Sequence, residues 1–394
     1  SQPATSLSFM DKFETIREKF PVTREYTYLN NAAVSASPPF VTGAAIKVLE
    51  GYNTHGGELE NGWHERIGKV RLMLAELAGG RPEGVFLTRN TSDAIILAAR
   101  GFPWREGDNV VCAKGEFPAL TVPLSLIAAR GVKLKLVPPR PDNTWRAEDF
   151  AAGMDSRTRM LALSWVEFHT GFRHDLAALG ALCRERGVFF LVDGVQGLGA
   201  LRANVEEWGV DLFSAAGHKW LLSPEGTGFG WLNPAWLDRL EPVSVSWTGL
   251  DDPFDFLGRG ASDARFDKPL RGDARRFEGG TLNVAGAHAL GRSVETMLEI
   301  GPDEIERHIL HLGALAAEGL RERGYRVLSP QGGGQLSGIT VFSRSDSGNA
   351  SLRAALLARK IIVGYPCGNI RVSPHYYNNE SDIDRLLAAL DPVT

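Results

Sequence analysis

The chain has 394 residues, enough for one large and one small domain with substantial cores. Its composition is that of an ordinary soluble protein and its formal net charge is −4, which argues against nucleic acid or an anionic membrane as partner. No apolar run is long enough to span a bilayer, and the three widely spaced cysteines, Cys112, Cys183 and Cys367, exclude a disulfide framework and a clustered cysteine metal site while suiting a reducing cytosol.

Taken in order, the first ten residues are polar and read as frayed, and Ser1 without a methionine is compatible with a trimmed product. A helix over 11–20 is stopped by Pro21. Asn30 and Asn31 read as turn residues after Tyr28-Leu29. Pro38-Pro39 opens a helix to about 52, and 53–57 (Asn-Thr-His-Gly-Gly, containing His55) reads as a polar loop. Helical spacing of Ile67, Val70, Leu74 and Leu77 marks a helix over 60–77. A strand over 85–88 runs through a turn at 89–93 into a helix from 94. Thr91 and Ser92 there place hydroxyls and backbone N–H groups at a helix N-terminus, serving as a helix cap, an anion cup, or both.

Strands over 107–113, 132–137, 160–166 and 188–192 alternate with helices over 147–152 and 176–186, and this alternation predicts a mainly parallel sheet covered on both faces. Ligands of such sheets bind at the carboxyl ends of the strands, where Asp193, the Thr91 turn and Lys219 all fall. Lys219 ends a short strand from 211, inside Gly217-His218-Lys219-Trp220-Leu221-Leu222. A lysine among Trp and Leu loses proton affinity when desolvated and becomes a usable nucleophile or base; standing alone it would read as a strand-end surface lysine. Residues 240–275 are irregular and rich in Gly, Pro, Asp and Arg, which points to a functional or oligomer-contact loop. A small α/β domain follows. It has helices over 284–298, 302–323, 352–360 and 382–390 and strands over 325–328, 338–342, 361–363 and 369–373.

Val188–Gln196 with its terminal Asp193, the segment 211–228 around Lys219, Arg275-Arg276-Phe277-Glu278-Gly279-Gly280-Thr281, and Asn369-Ile370-Arg371-Val372-Ser373 together resemble the class V aminotransferase group of fold-type-I enzymes dependent on pyridoxal 5'-phosphate (PLP). The resemblance covers about 28–390. That group includes cysteine desulfurases, selenocysteine lyases, cystine C–S lyases, kynureninases and isopenicillin N epimerases. It implies an α/β fold: a mainly parallel seven-stranded sheet flanked by helices in a large domain of 22–275, and a smaller domain from 1–21 and 276–394.

The resemblance implies roles as well. Lys219 forms the internal aldimine with PLP. Asp193 keeps the pyridine nitrogen protonated, so that the ring accepts electrons from Cα. Gln196 bonds the phenolic oxygen, and Phe117, where desulfurases carry histidine, stacks on the ring or else is a core residue. Thr91, Ser92 and His218 hold the phosphate with Thr281 from a second subunit of a homodimer; Ala216 replaces a serine common in the group. Asn31 and His55 face the substrate, and Arg371 clamps its α-carboxylate with a planar fork. Phe168 stands near an asparagine of the desulfurases, and neighbouring His169 is a replacement or a structural histidine.

The long cysteine-bearing loop of desulfurases is absent, and Cys367 lies only four residues before Arg371. The expected activity is therefore a cytoplasmic C–S β-lyase acting on cysteine, cystine or an S-substituted cysteine. Alternatives are an isopenicillin-N-epimerase-like epimerase, an aminotransferase, a desulfurase or selenocysteine lyase, and a non-catalytic PLP-fold binding protein. No metal is expected.

Overall fold

The structure, a computed structural model, describes residues 9–255, 268–344 and 348–390. The middle of the irregular stretch expected over 240–275 and most of the N-terminal decapeptide lie outside the described residues. The strands in chain order are β1 (Thr27–Leu29), β2 (Val85–Thr88), β3 (Asn109–Ala113), β4 (Lys133–Val137), β5 (Thr158–Ser164), β6 (Phe189–Asp193), β7 (Leu212–Ala216), β8 (Gly228–Leu232), β9 (Arg326–Val327), β10 (Thr340–Ser343), β11 (Ile361–Val363) and β12 (Ile370–Val372).

Seven of them form one sheet in the order β2-β8-β7-β6-β5-β3-β4. β8 is antiparallel to both neighbours, and every other pair is parallel. Both faces of the inner strands are buried, which is why β3 and β5 to β8 read largely as apolar runs, whereas the edge strand β4 alternates Lys and Leu and is partly exposed. Val111, Leu161, Phe190 and Phe213 point into one core, whereas Val110, Met160, Phe189 and Leu212 point into the other. Helices Pro39–His55 and Glu60–Ala78 pack with Val284–Ile300. A third core lies among β1, β10, β11 and β12 and helices Pro302–Glu322 and Glu380–Ala388. There β9, β10 and β12 form an antiparallel sheet, and β1 pairs in parallel with β11.

Two local expectations are corrected, and one helix was not anticipated. The residues 53–55 continue the helix, which ends at His55 with Gly56 as its cap at φ +58°. The helix after β2 starts at Thr91, not at 94, and its cap is Asn90, whose Oδ1 accepts from the Asp93 N–H at 3.0 Å. A helix, Pro118–Leu126, follows Phe117 although Pro123 lies inside it. Tertiary packing of Leu120 and Leu124 outweighs the lost backbone donor.

Candidate active site

The site gathers at the carboxyl ends of β2, β3, β5, β6 and β7. β6 ends in Asp193, whose register partners are Ser164 at the end of β5 and Ser214 on β7. The Ser214 hydroxyl donates to the Thr91 carbonyl at 3.0 Å, tying the first turn of helix Thr91–Gly101 to the sheet. β7 delivers Gly217-His218-Lys219, and the chain turns back through a Leu222 N–H to Lys219 carbonyl bond of 3.0 Å. Leu222 sits at φ +51°, a strained value for a leucine. Its carbonyl is pinned by the Ser37 hydroxyl at 2.7 Å, and the Ser35 N–H binds the His218 carbonyl at 2.8 Å. Trp220 behind the lysine is fully buried, with its carbonyl facing His375 Nε2 at 2.8 Å.

The electrostatics single out one amine. Burial pushes the Lys219 ammonium down to about 8; Asp193 opposes that shift and the Arg371 guanidinium adds to it. Burial raises the Asp193 carboxyl to about 6, against the Val195 N–H at 2.9 Å and the charge of Lys219. At neutral pH Asp193 is mostly ionised and about a tenth of Lys219 is free amine, far more than for an ordinary lysine. His218 is pushed below the ordinary histidine range by burial first and then by Lys219.

Two walls flank the amine. The Phe117 ring is 44% exposed, its centroid is 5.5 Å from Lys219 Nζ, and it meets Phe168 edge-on at 5.3 Å. It therefore offers a free aromatic face to the site rather than filling the core. The second is Arg371, in β12, which is 5% exposed and donates to the Phe168 carbonyl at 3.1 Å. Its Nε has no hydrogen-bond partner, and among the described residues no carboxylate pairs with it. Next to it the Asn30 Oδ1 is also buried and unpartnered; a Cβ placed on Gly364 would touch both Asn30 Oδ1, at 2.8 Å, and Arg371 Nε, at 3.0 Å.

Asn31, Gln196, His55 and Thr281 lie in the following surroundings. Asn31 is fully buried and its amide is committed, Nδ2 to the Ser373 carbonyl at 2.9 Å and Oδ1 to the Tyr377 hydroxyl at 2.9 Å. Gln196 donates to the Ala32 carbonyl and accepts from Trp220 Nε1, both at 3.0 Å, which leaves one amide hydrogen for any further bond. His55 is exposed at its helix end beside the Thr54 hydroxyl, and the structure does not bring it to Lys219 within one chain. Thr281 is exposed and lines a cavity of about 510 Å³ with Thr88, Arg89, Gly226 and Asn283, beside but apart from the lysine. Sequence reasoning missed Asn30 as a site group, as well as the buried Glu116 and Glu167 beneath the two phenylalanines.

The donor set fits PLP. Because Asn90 takes the capping role, the Thr91 hydroxyl is left buried without a partner at a helix N-terminus. The first-turn amides of Thr91 and half-buried Ser92 have no intrahelical acceptor. Together these form a phosphate-sized set of donors. The family model for "Aminotransferase class-V" matches residues 27–386. This chain belongs to the class-V aminotransferase family. A probable cysteine desulfurase of Halalkalibacterium halodurans is 28% identical over 408 residues, spanning 95% of this chain and 96% of that protein. An isopenicillin N epimerase of Streptomyces clavuligerus is 31% identical over 338 residues, spanning 83% of this chain and 84% of that protein. Among solved structures, a complex of the cystine C–S lyase C-DES with cysteine persulfide superposes with a TM-score of 0.86 at 23% identity, covering 94% of this chain and 98% of that one, which speaks for the fold.

Proposed function

We propose that this class-V enzyme is a PLP-dependent C–S β-lyase acting on cysteine, cystine or an S-substituted cysteine. The observation that carries the reading is the half-buried Lys219 amine, lowered to about 8, which feels both the Asp193 carboxylate and the buried Arg371 guanidinium, the latter without a carboxylate partner among the described residues. When bound, PLP supplies an electron sink for the pair left at the substrate Cα. Lys219 would hold the aldehyde carbon of the cofactor and would move the Cα proton. Asp193 would hold the ring nitrogen, and Phe117 would pack against the ring. Thr91, Ser92 and His218 take the phosphate, joined by Thr281 of a second subunit in a homodimer, and Gln196 uses its remaining amide hydrogen toward the phenolic oxygen. Arg371 takes the α-carboxylate, with Asn30 rather than Asn31 as the adjoining amide. The net change is RS–CH2–CH(NH2)–COOH + H2O → RSH + pyruvate + NH3. The Cα–H and Cβ–S bonds break and no oxidant is needed. The chain divides into the large domain of 22–275 and a small domain of 1–21 and 276–394, and the enzyme works in the cytoplasm.

The exposed Cys367 supports a lyase over a persulfide carrier. Backbone bonds between Gly364 and Arg371, at 2.8 and 2.9 Å, close the hairpin around it. Cys367 itself is held at φ +53° between Pro366 and Gly368, and the Gly368 carbonyl is tied to Asn349 Nδ2 at 2.9 Å. A thiol on so short an arm has little reach. Epimerisation is the second reading, favoured by the epimerase relative. It needs a proton donor on the face opposite Lys219, and the Phe117–Phe168 pair offers none.

An absorbance spectrum and a product assay test the proposal. A yellow protein releasing pyruvate, ammonia and a thiol from cystine or cysteine derivatives is expected; Cα-deuterium exchange without keto acid would replace lyase by epimerase. Cys367→Ala is expected to leave the release of pyruvate within about twofold, whereas a persulfide mechanism loses its turnover. Thr91→Val is expected to weaken PLP about tenfold in a titration of the apoprotein, the worth of about one hydrogen bond to a charged group; unchanged affinity would remove Thr91 from the phosphate site.

A further inference from the structure

Beneath the two aromatic residues of the site lie two buried carboxyl groups that the mechanism above does not use. Glu116 follows β3 and directly precedes Phe117. Glu167 follows β5 and directly precedes Phe168, whose carbonyl receives Arg371. Both are buried, Glu167 completely. Glu116 accepts from the Ser164 N–H at 2.6 Å and from the Ser164 hydroxyl. Glu167 Oε1 lies 3.0 Å from His174 Nε2, whereas its Oε2 finds no partner among N–H and hydroxyl donors. The two carboxyl groups lie within hydrogen-bonding reach of each other.

A carboxyl–carboxyl bond needs a proton, since two buried carboxylates in contact repel. The surroundings keep that proton in place. Asp193 at the end of β6 adds a further negative charge, the Cys112 thiol on β3 is neutral, and His174, pushed down to about 3 by burial, is neutral and donates. His169 Nδ1 lies 3.7 Å from Glu167 Oε2, and burial holds that imidazole below its ordinary range. Among the described residues no lysine or arginine pairs with either glutamate, and Lys219 is set against Asp193.

We propose that Glu116 and Glu167 are positioning residues: a carboxyl pair that shares one proton and clasps the Phe117 loop to the Phe168 loop, setting the aromatic wall over Lys219 and the carbonyl that aims Arg371. Loss of the shared proton opens the clasp. The site is then expected to loosen its hold on an α-carboxylate as the pH rises, before Arg371 itself loses charge. The inference rests on the lyase reading only where it speaks of substrate; the clasp itself is a property of the protein alone.

The sign of the stability effect follows from linkage. A carboxyl that binds its proton more tightly in the folded than in the unfolded chain makes the fold lose stability as pH rises above the ordinary carboxyl range, until the folded group ionises. Glu167→Gln removes that dependence while keeping the contacts: its Nε2 donates to Glu116 and its Oε1 accepts from His174.

The experiment compares wild type, E167Q and E167A, first as apoprotein by thermal melting from pH 6 to 9.5. Wild type is expected to lose Tm relative to E167Q by about 2 °C or more across that range. Superimposable profiles would overturn the proton-sharing pair, whatever the protein's activity. The same three proteins are then assayed on the amino-acid substrate. E167A is expected to raise KM about tenfold with a smaller change in kcat. E167Q is expected to recover the wild-type KM at pH 7 and to hold it to pH 9, where wild type climbs. An E167Q enzyme that keeps the wild-type rise of KM with pH would refute the positioning role. Loss of all colour and turnover in wild type would refute the lyase reading and leave the melting comparison to decide the pair.

Discussion

Lys219→Ala is expected to abolish the visible absorbance band of the PLP-loaded enzyme and to lower turnover by roughly 10³-fold or more. General base action alone contributes about 10²–10⁴, and the covalent role adds to it. The variant carries its own folding control. The amine is held down to about 8 by burial, so the folded chain binds its proton less tightly than the unfolded chain does. Stability from this group rises with pH from about 8 to the ordinary lysine value, and below that window the ammonium is a net cost. Removing it is therefore expected to leave Tm at pH 7 unchanged or slightly higher. Dead enzyme with an intact Tm places the loss in chemistry. Normal turnover, or a persisting band that borohydride fixes to the protein, would move the reaction away from this residue.

The lysine and the frame that presents it were legible because their signals are local. Strands buried on both faces produce apolar runs; one such run ends in the charged Asp193, and the run to Ala216 leads into His218 and Lys219, where burial becomes partial. The strand Gly228–Leu232 was harder to read, because its two glycines serve packing: a Cβ at Gly230 would meet the Phe86 ring at 2.2 Å. Helix Pro118–Leu126 contains a proline and hides from propensity. At the site, Lys219, Asp193 and the Thr91 turn converge as strand ends must. Which amides remain free was not legible, since Asn31 and Gln196 spend theirs on Ser373, Tyr377, Ala32 and Trp220, partners far away in sequence. The same holds for the capping of helix Thr91–Gly101. Thr91, Ser92 and Asn90 all suit a cap, and only the backbone geometry shows that Asn90 takes it and leaves the Thr91 hydroxyl for an anion.

Arg371→Ala is expected to raise KM for α-amino-acid substrates roughly 30- to 150-fold, with kcat less affected, as loss of a charge-assisted pair worth about 2–3 kcal/mol requires. The guanidinium reaches the site across 203 residues of sequence to bond the Phe168 carbonyl, and that bond uses Nη1 while Nε stays unpaired. A fork with one prong anchored and the rest buried without a carboxylate is set for a planar anion brought by a ligand. Burial lowers its proton affinity to about 10, which still leaves it charged at neutral pH. Arg371→Lys is expected to recover only part of the loss, because an ammonium supplies charge without the fork. A substrate analogue lacking the carboxylate, such as cysteamine, separates recognition from general damage: it should be as poor a substrate for R371A as for wild type. An unchanged KM in R371A would remove Arg371 from the site. A KM raised equally for cysteamine would make it a support for the Phe168 loop, the role the Phe168 carbonyl bond alone would give it.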